Sequence, residues 1–285
     1  MPVHRVMPRR LPLGLAALAV LAVLGLNPRT GPSPALAERP GVLELGYLAY
    51  LGEIEVARVD IVLEMAPPAV RPGPYRMEAD VTLVGAMGRL IPFKINAQAE
   101  GTADDTGVRP ARYRSTISLW ETHQAVALTY RPGGAVEVAS DPPTVEAREA
   151  RENGFVDHTM DPLSAAVAVI HGVVKSGACR GTMAVFDGAR RYDLLFSPVG
   201  GAEIAPSETA YYAGPATECA VGAKLLGGFG EFGQGTGLYP ATTRLWLAAV
   251  VPGGPAVPVR ILAENVLGSL RLDLVEVRRN YAAAP

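Results

Sequence analysis

From Val42 onward the chain alternates apolar and polar positions in short runs, each closed by glycine, proline or aspartate. Within Glu53–Met65, for example, Ile54, Val56, Ile61 and Leu63 stand among Glu55, Arg58, Asp60 and Glu64. A period of two is the signature of a strand with one wet and one buried face. The same reading predicts strands at Val42–Tyr50, Tyr75–Val84, Ile91–Glu100, Arg112–Trp120, Thr122–Tyr130 and Val136–Ser140. Further along it predicts Gly181–Phe186, Arg190–Phe196, Glu218–Leu225, Arg244–Val251, Val257–Glu264 and Ser269–Arg278. Gly101 to Asp105 reads as a polar turn, and Asp187-Gly188 as a hairpin turn, because both residue types tolerate positive φ. Short strands between repeated turn signals predict an all-β, mainly antiparallel fold of about 12–14 strands, a curved sheet or an open or closed β-barrel.

One segment breaks the period. Over Asp161–Gly177, Leu163, Val167, Ile170 and Val174 recur at helical spacing, Ala166 and Val173 widen that apolar face, and Ser164, Ala168, His171 and Lys175 form a more polar stripe beside them. Asp161 suits the N-cap, Pro162 the first helical position and Gly177 the end. The expectation is one central α-helix whose apolar stripe packs on the sheet or plugs a barrel mouth, with Ser164 and His171 near the rim of any cavity. The Pro- and Glu-rich stretch Asp141 to Asn153 reads as a linker. Because strand patterns resume after it, 38–285 is expected to be a single β-rich domain, alternatively two β lobes sharing one layer.

The first 37 residues differ in kind. Arg5, Arg9 and Arg10 precede an apolar run from Leu11 to Leu26, and Ala35-Leu36-Ala37 offers a small-x-small cleavage site. Basic, apolar and small-residue regions in that order predict a secretory signal peptide over 1–37, cleaved to start the protein at Glu38. The run is shorter than the ~20 residues of a spanning helix and contains Pro12. No transmembrane anchor is therefore expected after cleavage, and the expected location is periplasmic. A membrane β-barrel is disfavoured too, since aromatics make up only 6% of the chain and aromatic girdles mark that class.

Charge and cysteines fit this picture. The leader carries four arginines and no acid, which leaves 22 basic and 28 acidic side chains in the body. A mildly acidic body lacks the basic face that phosphate neutralisation demands, so no nucleic acid is expected as a partner. Cys179 and Cys219 are the only cysteines. In an oxidising compartment they are expected to form a disulfide. Their spacing matches neither a CxxC redox motif nor a zinc site.

Catalytic motifs are scarce. HExxH, GxSxG and the P-loop do not occur. Gly228 to Gly233 formally matches GxGxxG, but Gln234 to Pro240 follows where a helix is required, so it reads as a glycine-rich loop able to act as a lid. Asp157, His158 and Asp161 place one imidazole near two carboxylates, which a helix cap beside a loop explains without a metal. No cofactor and no metal are expected. Arg260 stands in an apolar strand, where it needs a carboxylate or a polar lumen, and Trp246 is an aromatic able to fill core or stack on a ligand.

Several stretches, taken in order, resemble a known family. They are Asp161-Pro162-Leu163-Ser164; Cys179 with Val185 to Asp193; Ala216-Thr217-Glu218-Cys219 and Gly228; and Leu245-Trp246-Leu247-Ala248 with Pro258-Val259-Arg260 and Gly268. Gly88, Gly101 and Pro110 fit as well. This set resembles the exported bacterial family catalogued as domain of unknown function 3108, over roughly 44 to 278. The resemblance implies an envelope protein with paired cysteines and carries no catalytic residues. The functional expectation is a non-enzymatic periplasmic envelope protein that binds a hydrophobic, lipid-like small molecule or an envelope protein partner. Ser164, His171, Arg260 and Trp246 are its candidate ligand-binding residues. The alternative is a hydrolase or transferase acting on an envelope polymer through carboxylates.

Overall fold

A computed structural model describes residues 41–66, 72–177, 179–229, 240, 242–266 and 268–280. The leader and most of the Gly228–Pro240 loop lie outside the described residues, and with them the expectations of a signal peptide and a lid. Seven strands come first: β1 Gly41–Leu51, β2 Ile54–Met65, β3 Gly73–Leu83, β4 Phe93–Asp104, β5 Gly107–Leu119, β6 Thr122–Tyr130 and β7 Val136–Asp141. Six follow: β8 Gly181–Phe186, β9 Arg191–Ile204, β10 Gly214–Gly227, β11 Thr242–Ala249, β12 Ala256–Asn265 and β13 Gly268–Asn280. All thirteen belong to one sheet, in the order β7-β6-β5-β4-β3-β2-β1-β13-β12-β11-β10-β9-β8. Two antiparallel meanders are thus joined where β1 lies beside β13, from Val42 opposite Asn280 to Leu51 opposite Leu270.

The period-two pattern sets which face is buried. Leu43, Leu45, Tyr47 and Ala49 of β1 share the concave face with Val59, Ile61 and Leu63 of β2 and Tyr75, Met77, Ala79 and Val81 of β3. Each fully buried aliphatic side chain contributes roughly 1.5–3 kcal/mol. The partners Ala79 and Ala97, with Ala99, are small and leave room on that face for a helix. The opposite face carries charge ladders such as Glu64, Arg76, Glu100 and Arg112, neighbours across four successive strands. Opposite charges at directly facing positions reinforce the register.

The sheet is open but rolled. Gly188, with φ +100° in the β8–β9 turn, lies so close to buried Val126 of β6 that a Cβ there would collide with it. Met160 pairs with Val185 of β8, and the His158 amide donates to the Gly134 carbonyl beside β7, so one segment straps both free edges. The edge of β7 is blunted further. Its Val136 amide donates to Asp157, and the Val138 carbonyl accepts from Arg151. An edge strand left bare would template pairing with another chain.

Where one helix was expected, the described residues hold three α-helices, α1 Gly85–Leu90, α2 Val145–Glu152 and α3 Pro162–Ser176, and a single 3-10 turn at Pro132–Gly134. The expected single helix is α3, with the expected cap and end: the Ser164 amide donates to Asp161, and Gly177 ends it at φ 67°. The expected linker 141–153 instead holds α2, capped by Thr144. The expected polar turn at Gly101 to Asp105 is mostly strand, since β4 runs on to Asp104. Burial of α3 is not confined to one stripe. Leu163, Val167 and Ile170 pack in the main core, while Val169 and Val173 pack with Leu245, Leu247 and the two cysteines. A helix enclosed by a rolled sheet meets wall on more than one side; Val173 belongs to the widened apolar face expected, whereas Val169 lies outside it. The side chain of Val174 lies outside the described residues. No described helix is long and apolar enough to cross a membrane.

Candidate functional site

The most unusual chemistry lies at the start of α3. Asp161 is fully buried, at 0% exposure. Its Oδ1 accepts from the Ser164 amide, and its Oδ2 accepts from the Ser164 hydroxyl at 2.6 Å and the Tyr130 hydroxyl at 3.3 Å. Since the Ser164 proton is committed to Asp161, the Tyr75 hydroxyl, 2.7 Å from Ser164 Oγ, donates in its turn. No cation answers the carboxylate within this set of hydrogen bonds. Burial pushes its pKa up to about 6, against the opposing pull of its hydrogen bonds. Burial likewise raises the Tyr75 and Tyr130 hydroxyls, with the Asp161 charge adding to the effect. A shifted carboxylate is a mark of catalytic sites. Here, however, both oxygens are occupied and the group is sealed behind tyrosines, so the arrangement anchors the helix.

Farther along α3, Ala166 and Ile170 face Leu45, Ile61, Leu63 and Leu272 across a narrow apolar seam of about 30 Å³. The one hydroxyl lining it, Tyr47, donates to the Pro258 carbonyl at 2.9 Å. Burial holds that phenol far above its usual pKa. On the other side of Tyr75 an open groove of about 490 Å³ runs past Glu64, Gly101 and Pro110. Its cations are paired: Arg76 with Glu78, and Arg109 with Asp104.

The four candidate ligand residues fall in two places. Ser164 and His171 lie on α3. Ser164 is fully buried in the anchor and does not stand at a cavity rim. The half-buried His171 holds Nε2 2.9 Å from the Asp104 carbonyl, so Nε2 carries the proton and ties α3 to the end of β4. Arg260 and Trp246 stand directly opposite each other on β12 and β11. Trp246 is half-buried and packs against the main core, so it fills space there. Arg260 has the expected carboxylate partner, Asp273, at 2.6 Å, and Arg271 shares that carboxylate while lying over the Tyr50 ring. The structure therefore separates the helix pair from the strand pair. Asp161, Tyr75 and Tyr130 escaped the sequence reading as a site. The phase Tyr75, Met77, Ala79, Val81 was the available signal that Tyr75 points inward. No group of three or more His, Cys, Asp or Glu suited to a metal occurs among the described residues.

Cys179 and Cys219 form the expected disulfide, with Cα atoms 6.1 Å apart. It fixes the chain just after α3 to β10, so the helix is held at both ends.

No curated protein matches the chain. Among solved structures, the chain is similar to a β-barrel-like protein of the domain of unknown function DUF1849 from Brucella abortus. Identity is 10%, coverage is 86% of this chain and 100% of that one, and the TM-score is 0.49. A DUF1329 family protein from Desulfovibrio piger shares 7% identity over 87% of this chain and 88% of its own, with a TM-score of 0.24. A family model described as a protein of unknown function, DUF3108, matches residues 46–275. With that match spanning most of the chain, including α3, its buried anchor and the disulfide, the protein belongs to the DUF3108 family.

Proposed function

We propose that this is a non-enzymatic periplasmic protein of the cell envelope that takes a hydrophobic, lipid-like ligand into the seam between α3 and the concave wall. The observation that carries this reading is the seam itself, an enclosed strip lined by aliphatic side chains whose single hydroxyl is already satisfied. Apolar enclosure with few polar groups is the usual make-up of a lipid pocket. The present volume is about that of one water molecule, so an acyl chain enters only as the middle of α3 moves outward while its two ends stay anchored. The predicted leader and the disulfide both fit an exported protein. A hydrolytic role receives less support, because the one carboxylate among the described residues whose pKa is raised, Asp161, is closed to substrate.

The test is native mass spectrometry of protein purified from the periplasm, followed by titration of the delipidated protein with a fluorescent fatty acid. Co-purified lipid and saturable binding are expected, and Ala166→Phe, which fills the seam, should abolish binding while the fold survives. Absence of both lipid and probe binding in the wild-type protein rules the reading out.

A further inference from the structure

One rim of the rolled sheet presents an unusual series of side chains. Four successive hairpin tips along it are β5–β6, the α1 connection between β3 and β4, β1–β2 and β12–β13. Each exposes a large apolar residue: Trp120 at 56%, Leu90 at 73%, Ile54 at 66% and Val266 at 67%. Backbone hydrogen bonds join the tips in pairs. The Trp120 amide donates to the Pro92 carbonyl beyond α1, the Val84 amide before α1 donates to Val56 of β2, and the Gly52 amide donates to Ser269. Trp120 also carries φ +50°. In a two-residue hairpin turn that conformation belongs to Asn or Gly, and a bulky side chain there is strained. The fold thus tolerates strain to hold an indole out in water, a pattern associated with functional positions.

Geometry and charge together indicate what covers this rim. Neighbouring tips lie two strands apart, or about 10 Å, so the four side chains are separate points and not one contiguous patch. A protein partner would need a matched pocket for each point. Tips along the rim of a curved sheet describe an arc, an arc defines a plane, and a bilayer surface is planar and accepts isolated apolar wedges without matched shape. Tryptophan favours the depth of the lipid headgroups. Exposed charges beside the tips are Glu53, Glu55, Glu121 and Glu264 against Arg89 and Lys94, an acidic excess that an anionic surface would repel. We propose that this rim docks flat on a lipid bilayer whose surface carries no net negative charge. The inference stands independently of the seam between α3 and the sheet.

The chain's two tryptophans are Trp120 and Trp246. In a Trp246→Phe background, Trp120 alone reports on the rim. With vesicles of phosphatidylcholine and phosphatidylethanolamine, its emission should shift to the blue and be quenched by brominated acyl chains. Adding phosphatidylglycerol should weaken both effects. Ile54→Ser with Leu90→Ser, both exposed and outside the core, should lower vesicle partitioning about tenfold or more without changing the melting temperature. Trp120→Gly should raise the melting temperature and still lose partitioning, which a purely structural tryptophan would not do. Rim variants should keep their affinity for a soluble fatty-acid probe, so failure here is separable from failure of the seam. Emission unchanged by any vesicle, or a shift with anionic vesicles alone, overturns the proposal. So does crosslinking from position 120 in cells that yields a protein adduct and no lipid adduct.

Discussion

Asp161 is a capping residue placed where its charge is costly. Its folded pKa of about 6 lies above the ordinary value of 3.8, so the folded state binds the proton more tightly than the unfolded chain does. The stabilisation from that proton is complete below pH 3.8 and is lost as pH rises through about 6. Between those limits the difference is about 3 kcal/mol. Thermal melts should therefore show this contribution as rising stability from pH 7 down towards pH 4. Asp161→Asn keeps the cap, because Asn also accepts from the Ser164 amide, and should flatten that slope. Ser164→Ala should cost about 1–3 kcal/mol in denaturant titrations, since it removes one donor to Asp161 and the acceptor of Tyr75. The cap was legible in the sequence because capping is local, fixed by Asp161, Pro162 and the spacing to Ser164. The tyrosines that seal it were not, since Tyr75 and Tyr130 reach Asp161 only through the roll of the sheet. Arg260 falls in between: its need for a carboxylate followed from its apolar strand, whereas Asp273 as the partner depends on register.

The strands were legible because each writes its own alternation, and all thirteen sit where that alternation put them, to within a few residues at most ends. Where an end moved, as for β4 and β9, the cause is a long hairpin that continues through polar residues once its neighbour supplies hydrogen bonds. Helix α2 went unread because it is short, charged and held by Thr144 and by contact with β7. Within α3, Val167 is fully buried in the main core. Val167→Asp would place an unpaired charge there and should abolish the cooperative melt. At the far end of the helix, replacing Cys179 and Cys219 together by Ala should lower stability by roughly 2–5 kcal/mol, read from denaturant midpoints with and without reductant.

The roll of the whole molecule depends on contacts between elements distant in sequence. The hairpin turn at Asp187-Gly188 was legible from its own two residues, but its seat against Val126 was not, because sequence patterns carry no record of which strand lies across the core. Gly188→Ala combines a disfavoured φ with a collision at that seat and should cost roughly 1–3 kcal/mol, checked by urea unfolding. The pairing of β1 with β13 has a consequence for how the molecule is assembled. Among the described residues twelve strand pairings hold the sheet together, and eleven of them join strands adjacent in the sequence. The twelfth joins the first strand to the last and cannot form until nearly the whole chain is present. A circular permutant that links the end of β13 to the start of β1 by a short turn, and opens the chain between α2 and α3, would make all twelve pairings local. Closing a long loop is slow because its entropy is lost before any contact forms. Such a permutant should refold faster than the natural order while keeping the same sheet, making β1–β13 docking the step that sets the pace.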